Sequence, residues 1–274
     1  MNDILVSKIR KLNLPGMLQC VDMRVEQAIR EKLSYIEFLE LLINDEHLNR
    51  GRNRRNDYLR KAKLPMHKTL EEFNFSWQPC INRQEIYNFG VCEFIRKKEN
   101  IAFIGLPGTG KTHLSISLGI KAIDQGYTVL FTTLSDMMEE LYMSRADNSF
   151  RHKLMKYTRP DLLIIDELGL KKLNQTNVDD FYEVISKRYE TTSTIITSNK
   201  QFDEWGQVLF DPVLASAILD RFVHHCSFVI IDGNSYRMKE RESLSLPKRR
   251  GRPKRENPDS EPLIEDQLIG ETGL

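Results

Sequence analysis

A glycine-rich stretch in the first half of the chain has residue types and a spacing suited to phosphate binding. Residues 105–112 read GLPGTGKT, which fits the pattern G-x-x-x-x-G-K-[ST] at every constrained position. Successive backbone N–H groups of such a loop turn toward phosphate oxygens, because glycine has no Cβ to block that approach. We therefore predict an ATP-binding loop, formed by Gly105, Leu106, Pro107, Gly108, Thr109, Gly110, Lys111, Thr112 and His113.

Two residues of this loop have separate predicted roles. Lys111 is expected to reach the β- and γ-phosphates, and the Thr112 hydroxyl is expected to coordinate Mg²⁺. The loop follows an apolar run typical of a strand and precedes a helical pattern, so the positive end of that helix would point at the same phosphates. This context favours a functional loop over a chance match.

Polar residues end two further apolar runs and predict the other half of the site. The run LLIIDE ends in Asp166, which would lie beside the metal, and Glu167, which would orient or deprotonate the attacking water. Two surface acids at a strand end are the alternative, which the upstream loop disfavours. The run TIITSN ends in Asn199, whose amide would bond the water or the γ-phosphate, unless it only forms a turn.

These residues need a sheet that brings the ends of several strands together. Short apolar runs occur at 101–104, 128–131, 162–165, 194–197 and 228–231, with room for a helix between successive runs. Continuous apolar runs suit strands that are covered on both faces. Residues 178–189 repeat apolar side chains at helical spacing. The sequence therefore predicts the α/β class, with a parallel sheet between helices.

The first 65 residues predict helices. Ser34 and Glu37 form a capping-box pattern ahead of an apolar stripe. A second helix is expected to continue this one or to follow it through a basic stretch, and to end before Leu64. We predict a small all-helical N-terminal domain at 1–66, a linker at 67–80 whose aromatic residues pack on a neighbouring domain, an ATPase domain at 81–245 and a disordered tail at 246–274.

Composition narrows the class of protein. A chain of 274 residues, 40% of them hydrophobic, can bury one core of ordinary domain size and carry appendages. The net charge is +1, so attraction to nucleic acid has to come from local clusters. The four cysteines form no C-x-x-C pair, which argues against a zinc knuckle or a disulfide framework. The sequence shows neither a signal peptide nor an apolar run of membrane-spanning length, and we expect a cytoplasmic protein.

The order of motifs resembles a known family. The phosphate loop, the Asp-Glu pair, the strand-terminal Asn and the later stretches ILDRF and GNSYR resemble AAA+ ATPases of the helicase-loader type. The resemblance is closer to the IstB family, ATPase helpers encoded beside the transposase in bacterial insertion sequences. Stretches that carry it include LNLPGM, RRNDYLRKAKLP, RPDLLIIDELG, TSNKQFDEWG and DPVLASAILDR. It covers residues from about 10 to 240 and leaves out the tail.

The resemblance implies roles for two arginines. Arg221 in ILDRF occupies the position of an arginine finger, a cation offered to the γ-phosphate that a neighbouring subunit holds. Arg237 in GNSYR matches the second sensor arginine, which would touch the phosphates. An arginine that pairs with a nearby acid, such as Asp220 or Asp232, is the alternative for both. The position of Arg237 stays open, because the patterned chain leaves little room for a helical lid after the fifth strand.

Two basic segments are candidates for DNA contact. Between residues 50 and 68 there are eight basic residues and one acid, and an Arg-rich helix there could lie along a phosphate backbone; a solvated helix face is the alternative. In the tail, KRRGRPKR has the Arg-Gly-Arg-Pro core of an AT-hook, which could enter an A·T-rich minor groove or attract phosphates loosely. The predicted DNA contacts are Arg50, Arg52, Arg54, Arg55, Arg60, Lys61, Arg250 and Arg252.

The resemblance implies an ATPase that oligomerises on duplex DNA, with ATP sites between subunits. It would present that DNA to a partner transposase and reset by hydrolysis. The first alternative is a helicase loader resembling DnaC, which would grip a replicative helicase through its N-terminal region and prefer single strands. The second is a nucleotide-dependent regulator whose ATPase is vestigial.

Overall fold

The computed structural model describes residues 3–209 and 211–238. Two short 3₁₀ helices, Phe75–Trp77 and Phe202–Glu204, lie among longer elements. The described α-helices are α1 (Asp3–Lys11), α2 (Pro15–Glu31), α3 (Tyr35–Ala62), α4 (Arg83–Gly90), α5 (Glu93–Lys97), α6 (Lys111–Asp124), α7 (Leu134–Met143), α8 (Phe150–Thr158), α9 (Gln175–Arg188), α10 (Trp205–Val208) and α11 (Pro212–Val223). The strands are β1 (Asn100–Gly105), β2 (Val129–Thr133), β3 (Leu162–Leu168), β4 (Ser193–Ser198) and β5 (Cys226–Ile231).

The five strands form one parallel sheet in the order β2-β3-β4-β1-β5. All five apolar runs are therefore confirmed as strands, with bounds that differ from the prediction by up to three residues. Because β1, β3 and β4 are neighbours and run the same way, their carboxyl ends meet at one edge. The loop after β1, the acids of β3 and the residue after β4 are thereby gathered at that edge.

Helices cover both faces of the sheet, as the apolar runs predict. Ile101 and Phe103 pack in a core layer with α4, α5, α6 and the end of α3. Ala102 and Ile104 point the other way, into a layer with α7, α8, α9 and α11. Every residue of β1 after Asn100 is buried, which is why the strand has no polar face.

The N-terminal helices confirm the predicted helical region and show which of the two alternatives holds for the basic stretch. α3 is a single helix of 28 residues that runs through the basic stretch, including Gly51. Ser34 caps it with the predicted capping box: its hydroxyl accepts from the Glu37 backbone N–H, and the Glu37 carboxylate accepts from the Ser34 backbone N–H. The last turns pack on the α/β core through Tyr58, Leu59 and Ala62. Among the described residues, none of the helices has the length and apolarity needed to cross a bilayer.

The domain boundaries stay predictions. The proposed linker, 67–80, packs on the α/β core through Leu70 and Phe73. The predicted tail at 246–274 and residues 239–245 of the predicted ATPase domain lie outside the described residues.

Candidate nucleotide-binding site

Two glycines shape the loop between β1 and α6, and each has a backbone conformation that residues with a Cβ rarely adopt. Gly108 has φ +82° and Gly110 has φ +102°. A Cβ on Gly108 would lie 2.2 Å from Ser235 Oγ, and a Cβ on Gly110 would lie 2.6 Å from Phe73 Cε2. Thr109 donates its hydroxyl to Leu106 O at 2.9 Å, which closes the turn. The loop is thus held in a form that only these glycines allow.

Lys111 begins α6 and lies under the loop. Its ammonium donates to the carbonyl oxygens of Gly105 and Leu106, both at 2.8 Å. Burial lowers the pKa of Lys111 to about 8, with the nearby Arg237 cation adding to the shift and Asp166 opposing it. A group of phosphates would stabilise the charged form in place of the two carbonyls, so the lysine is suited to bind an anion.

Thr112 and Asp166 meet directly, although they are far apart in sequence. The Thr112 hydroxyl lies 3.0 Å and 3.1 Å from the two carboxylate oxygens of Asp166. The Thr197 hydroxyl of β4 also donates to the Asp166 carboxylate. Asp166 is 6% exposed and lies near the end of β3. Strand pairing explains this placement. Asp166 pairs with Thr133, the last residue of β2, so it lies at the edge of the sheet that the loop occupies.

Glu167 and Asn199 lie at the same edge. Glu167 has φ +66°, an uncommon value for a residue with a side chain. Its backbone N–H donates to Thr197 Oγ1 at 3.1 Å, and its side chain is exposed. The register between β3 and β4 shifts between Ile165 and Leu168, where the unusual backbone of Glu167 falls. Asn199 follows the last residue of β4 directly and is half-buried.

A cavity of about 450 Å³ opens in front of the loop. One wall comes from the predicted linker, through side chains such as Phe73, Trp77 and Gln78. Phe73 also packs edge-on against His113, with ring centroids 5.3 Å apart. The sequence prediction assigned the linker aromatics to packing alone and missed this wall. Their only signal was three aromatic residues close together, which does not distinguish packing from a binding pocket.

The segment after β5 forms a second wall of the cavity and is hydrogen-bonded to both the linker and the loop. The Asn234 carbonyl accepts from Gln78 Nε2 at 2.8 Å and from Trp77 Nε1 at 3.3 Å. The Tyr236 backbone N–H donates to the carbonyl of Gly108 at 2.9 Å. Arg237 lines the cavity with Tyr236. The position of Arg237, which the sequence left open, is therefore beside the loop, although its role stays a prediction.

Arg221 is not among the side chains that line this cavity. It lies in the last turn of α11, where Nη1 donates to the Ala217 carbonyl at 3.0 Å. Its guanidinium carbon is 5.2 Å from the centre of the Tyr182 ring. The structure brings Lys111, Thr112, Asp166 and Arg237 together in one chain, and it leaves Arg221 apart from them.

The predicted DNA contacts on α3 divide into paired and unpaired cations. Arg50 pairs with Glu46, Arg55 with Asp124, and both Arg60 and Lys61 with Asp57. Arg52 and Arg54 are exposed and form no ion pair with any described residue. The remaining two predicted contacts, Arg250 and Arg252, lie outside the described residues.

The residues at this edge fit a magnesium nucleoside triphosphate. The glycines leave a loop that a Cβ would fill, and the buried ammonium of Lys111 is aimed at its base. Hydroxyl and carboxylate oxygens, here from Thr112 and Asp166, are ligands that Mg²⁺ prefers. Together with the parallel sheet, these features define a P-loop ATP-binding protein with the AAA+ fold, preceded by a small helical region.

The chain belongs to the family of IstB-like ATP binding proteins, whose model matches residues 7–244. It is 37% identical over 238 residues to the insertion sequence IS21 putative ATP-binding protein of Pseudomonas aeruginosa, covering 87% of this chain and 90% of that protein. It is 38% identical over 231 residues to the insertion sequence IS5376 putative ATP-binding protein of Geobacillus stearothermophilus, covering 84% and 92%. The predicted resemblance to this family is confirmed.

Solved structures with related folds support the AAA+ assignment. The crystal structure of DnaI matches with a TM-score of 0.53 at 21% identity, over 60% of this chain and 91% of that one. The AMPPCP-bound DnaA from Aquifex aeolicus matches with a TM-score of 0.52 at 22% identity, over 68% and 59%. At such low identity the likeness concerns the fold.

Proposed function

We propose that this protein is a magnesium-dependent ATPase that assembles on duplex DNA and presents that DNA to a partner transposase. The observation that carries the proposal is the contact of the Thr112 hydroxyl with the Asp166 carboxylate beneath a phosphate-binding loop. This pair is suited to hold a metal ion against the β- and γ-phosphates. The family supports the biological setting, since its members are named as ATP-binding proteins of insertion sequences.

We assign the separate roles in ATP hydrolysis to a few side chains. Lys111 would turn from the loop carbonyls to the phosphates and hold them in place. Bound Mg²⁺ would offset the negative charge that develops between the β- and γ-phosphates. Glu167, exposed beside buried Asp166, would orient or deprotonate the attacking water, with Asn199 as a neighbouring hydrogen-bond donor.

Oligomerisation would complete the site. A cation is needed where charge develops on the γ-phosphate, and Arg221 does not line the cavity of its own chain. We assign Arg221 to the cavity of a neighbouring subunit. Hydrolysis then depends on assembly, because a lone subunit lacks this cation.

DNA contact is assigned to the second half of α3. Arg52 and Arg54 are exposed there without acidic partners among the described residues, so phosphates can reach them. A duplex in this position would be held by its backbone, independently of sequence.

The decisive experiment uses Glu167→Gln. This variant keeps the shape of the side chain but removes the base, so we expect ATP binding to persist while phosphate release falls roughly 100-fold or more. In the presence of ATP and duplex DNA, the variant should accumulate as a DNA-bound oligomer, detected by light scattering coupled to size exclusion.

Three results would contradict the proposal. Undiminished phosphate release by Glu167→Gln removes Glu167 from its role. A wild-type protein that stays monomeric with ATP, Mg²⁺ and duplex DNA removes the assembly step. Single-stranded DNA of equal length is the matched control, and a preference for it over duplex contradicts the assigned substrate.

A further inference from the structure

Three metal-ligating side chains meet at the edge of the sheet opposite to the nucleotide site. Glu190 lies two residues after the end of α9, and His224 and His225 connect α11 to the start of β5. One ligand atom from each of the three residues lies within 4.8 Å of the other two. None of the three lines the cavity in front of the phosphate-binding loop. We call these residues the His-Glu cluster.

Hydrogen bonds hold the His-Glu cluster in place. The carbonyl of His225 accepts from the backbone N–H of Asn100, the first residue of β1, at 2.6 Å. The Tyr189 hydroxyl lies 2.9 Å from His224 Nδ1 and orients that ring. Glu190 has φ +56°, a backbone conformation that residues with a side chain adopt uncommonly. The cluster therefore lies at the ends of packed elements, which favours a defined arrangement of ligands.

The distances in the cluster are close to those of a zinc site. Zinc binds imidazole nitrogen and carboxylate oxygen at about 2.0–2.2 Å, so two ligand atoms of a tetrahedral site lie about 3.4 Å apart. His225 Nε2 and Glu190 Oε1 are 3.7 Å apart, and the ring centres of His224 and His225 are 4.0 Å apart. All three side chains are exposed, so small rotations can close the remaining gaps. Three protein ligands leave a fourth position for water.

The ligand types select the class of ion. Imidazole suits zinc, copper and nickel, whereas Mg²⁺ prefers an octahedron of oxygen atoms. Glu190 pairs with His225 and with no Lys or Arg of the residues that the structure describes, so its negative charge is available to a cation. Two imidazoles and one carboxylate are a donor set that zinc uses in proteins.

We propose that the His-Glu cluster binds a divalent transition-metal ion of the zinc class. The ion would join the end of α9 to the junction of α11 and β5. Arg221 lies three residues before His224 and stacks on Tyr182 of α9, so the ion would brace the two helices that hold Arg221. The binding of the metal is independent of the proposed function, whereas its relation to Arg221 rests on that function.

The test is isothermal titration calorimetry of the full-length, nucleotide-free chain with zinc chloride. We expect the wild type to bind one ion per chain, and excess Mg²⁺ should not displace it. The double substitution His224→Ala and His225→Ala should lower the affinity roughly 100-fold or more, since even groups that only orient a metal ligand contribute 10- to 100-fold. Glu190→Gln keeps the shape of the side chain and should lower the affinity roughly 10-fold. The matched control is His67→Ala, which removes an exposed histidine outside the cluster.

Binding by the wild type and by His67→Ala, together with its loss in the double variant, supports the assignment. A wild type without saturable zinc binding overturns it. A double variant that binds zinc as tightly as the wild type also overturns it, because other groups then hold the ion. If circular dichroism shows that the double variant has lost helix, Glu190→Gln decides, and an affinity equal to that of the wild type overturns the assignment. The titration uses neither ATP nor DNA, so a failure of the proposed function leaves the metal site standing.

Discussion

Gly110 shows how one missing methyl group shapes the phosphate-binding loop. Its φ of +102° lies where residues with a Cβ are strained, and the position of that Cβ is occupied by the Phe73 ring. The residue therefore serves two purposes, since it turns the loop and admits a linker aromatic beside it.

We predict that Gly110→Ala weakens ATP binding by roughly 10-fold or more, because a strain of about 1–2 kcal/mol must be relieved by opening the loop or displacing Phe73. Isothermal titration calorimetry with ATP and Mg²⁺ measures the effect. Gly206→Ala is the control, since no atom lies within 4 Å of its Cβ position. Equal affinities for ATP in the two variants would contradict the strain argument.

The sequence predicts the site residues that are close along the chain or follow strands. The letters from Gly105 to Thr112 are contiguous, and Asp166 follows an apolar run whose end must lie at the sheet edge. The sequence does not predict the positions of Gln78 and Trp77 in the site, because their partners are distant along the chain. Their contacts with Asn234 join parts of the chain some 156 residues apart, and no local pattern encodes that meeting.

At the scale of elements, α3 shows where local propensity misleads. Gly51 and the asparagines among the arginines weaken the helix prediction for residues 50–62, yet the helix is continuous. Its last turns pack against the α/β core through Tyr58, Leu59 and Ala62, and this packing outweighs the cost of the glycine. A pattern read one window at a time does not contain such a tertiary contact.

A second feature at this scale is the polar cluster that joins α7 to α8. Lys153 Nζ donates to Glu140 Oε1 at 2.9 Å, and Lys156 and Tyr157 both donate to Oε2. Burial alone would raise the pKa of Glu140, but these hydrogen bonds outweigh it and hold the pKa near 2. The folded state thus binds a proton at Glu140 less readily than the unfolded chain.

This shift predicts a pH-dependent stability. The contribution of Glu140 is complete above its unfolded pKa of about 4.5 and is lost as the pH falls toward 2. Glu140→Gln should lower the free energy of unfolding at pH 7 by roughly 1–3 kcal/mol, with a smaller difference from wild type at pH 3. Urea unfolding at both pH values measures it. Glu139→Gln, at an exposed neighbour, should differ little from wild type at either pH, and a pH-independent loss in Glu140→Gln would refute the linkage.

At the scale of the whole molecule, the separation of Arg221 from the cavity predicts complementation between subunits. We expect Arg221→Ala and Lys111→Ala each to release phosphate roughly 1,000-fold more slowly than wild type. When the two variants are mixed before DNA and ATP are added, ATP turnover should return. A Lys111→Ala subunit still carries Arg221 and offers it to the intact phosphate-binding loop of a neighbouring Arg221→Ala subunit. Phosphate release measured across mixing ratios gives the result.

Lys187→Ala is the control for loss of a surface cation, since Lys187 is half exposed on α9 and pairs only with Glu183 among the described residues. It should turn over ATP like the wild type. If the mixture forms an oligomer but remains as slow as its components, Arg221 does not act across the subunit boundary.

The two walls of the cavity have a consequence for how the chain holds itself together. The linker wall precedes β1 and the other wall follows β5. A nucleotide that contacts both walls would therefore hold the two ends of the α/β region together. When its free concentration is 100 times its dissociation constant, such a ligand adds about 2.7 kcal/mol to the free energy of unfolding. Hydrolysis and release of the nucleotide would then remove this stabilisation. The melting temperature of the protein would therefore depend on whether ATP is bound.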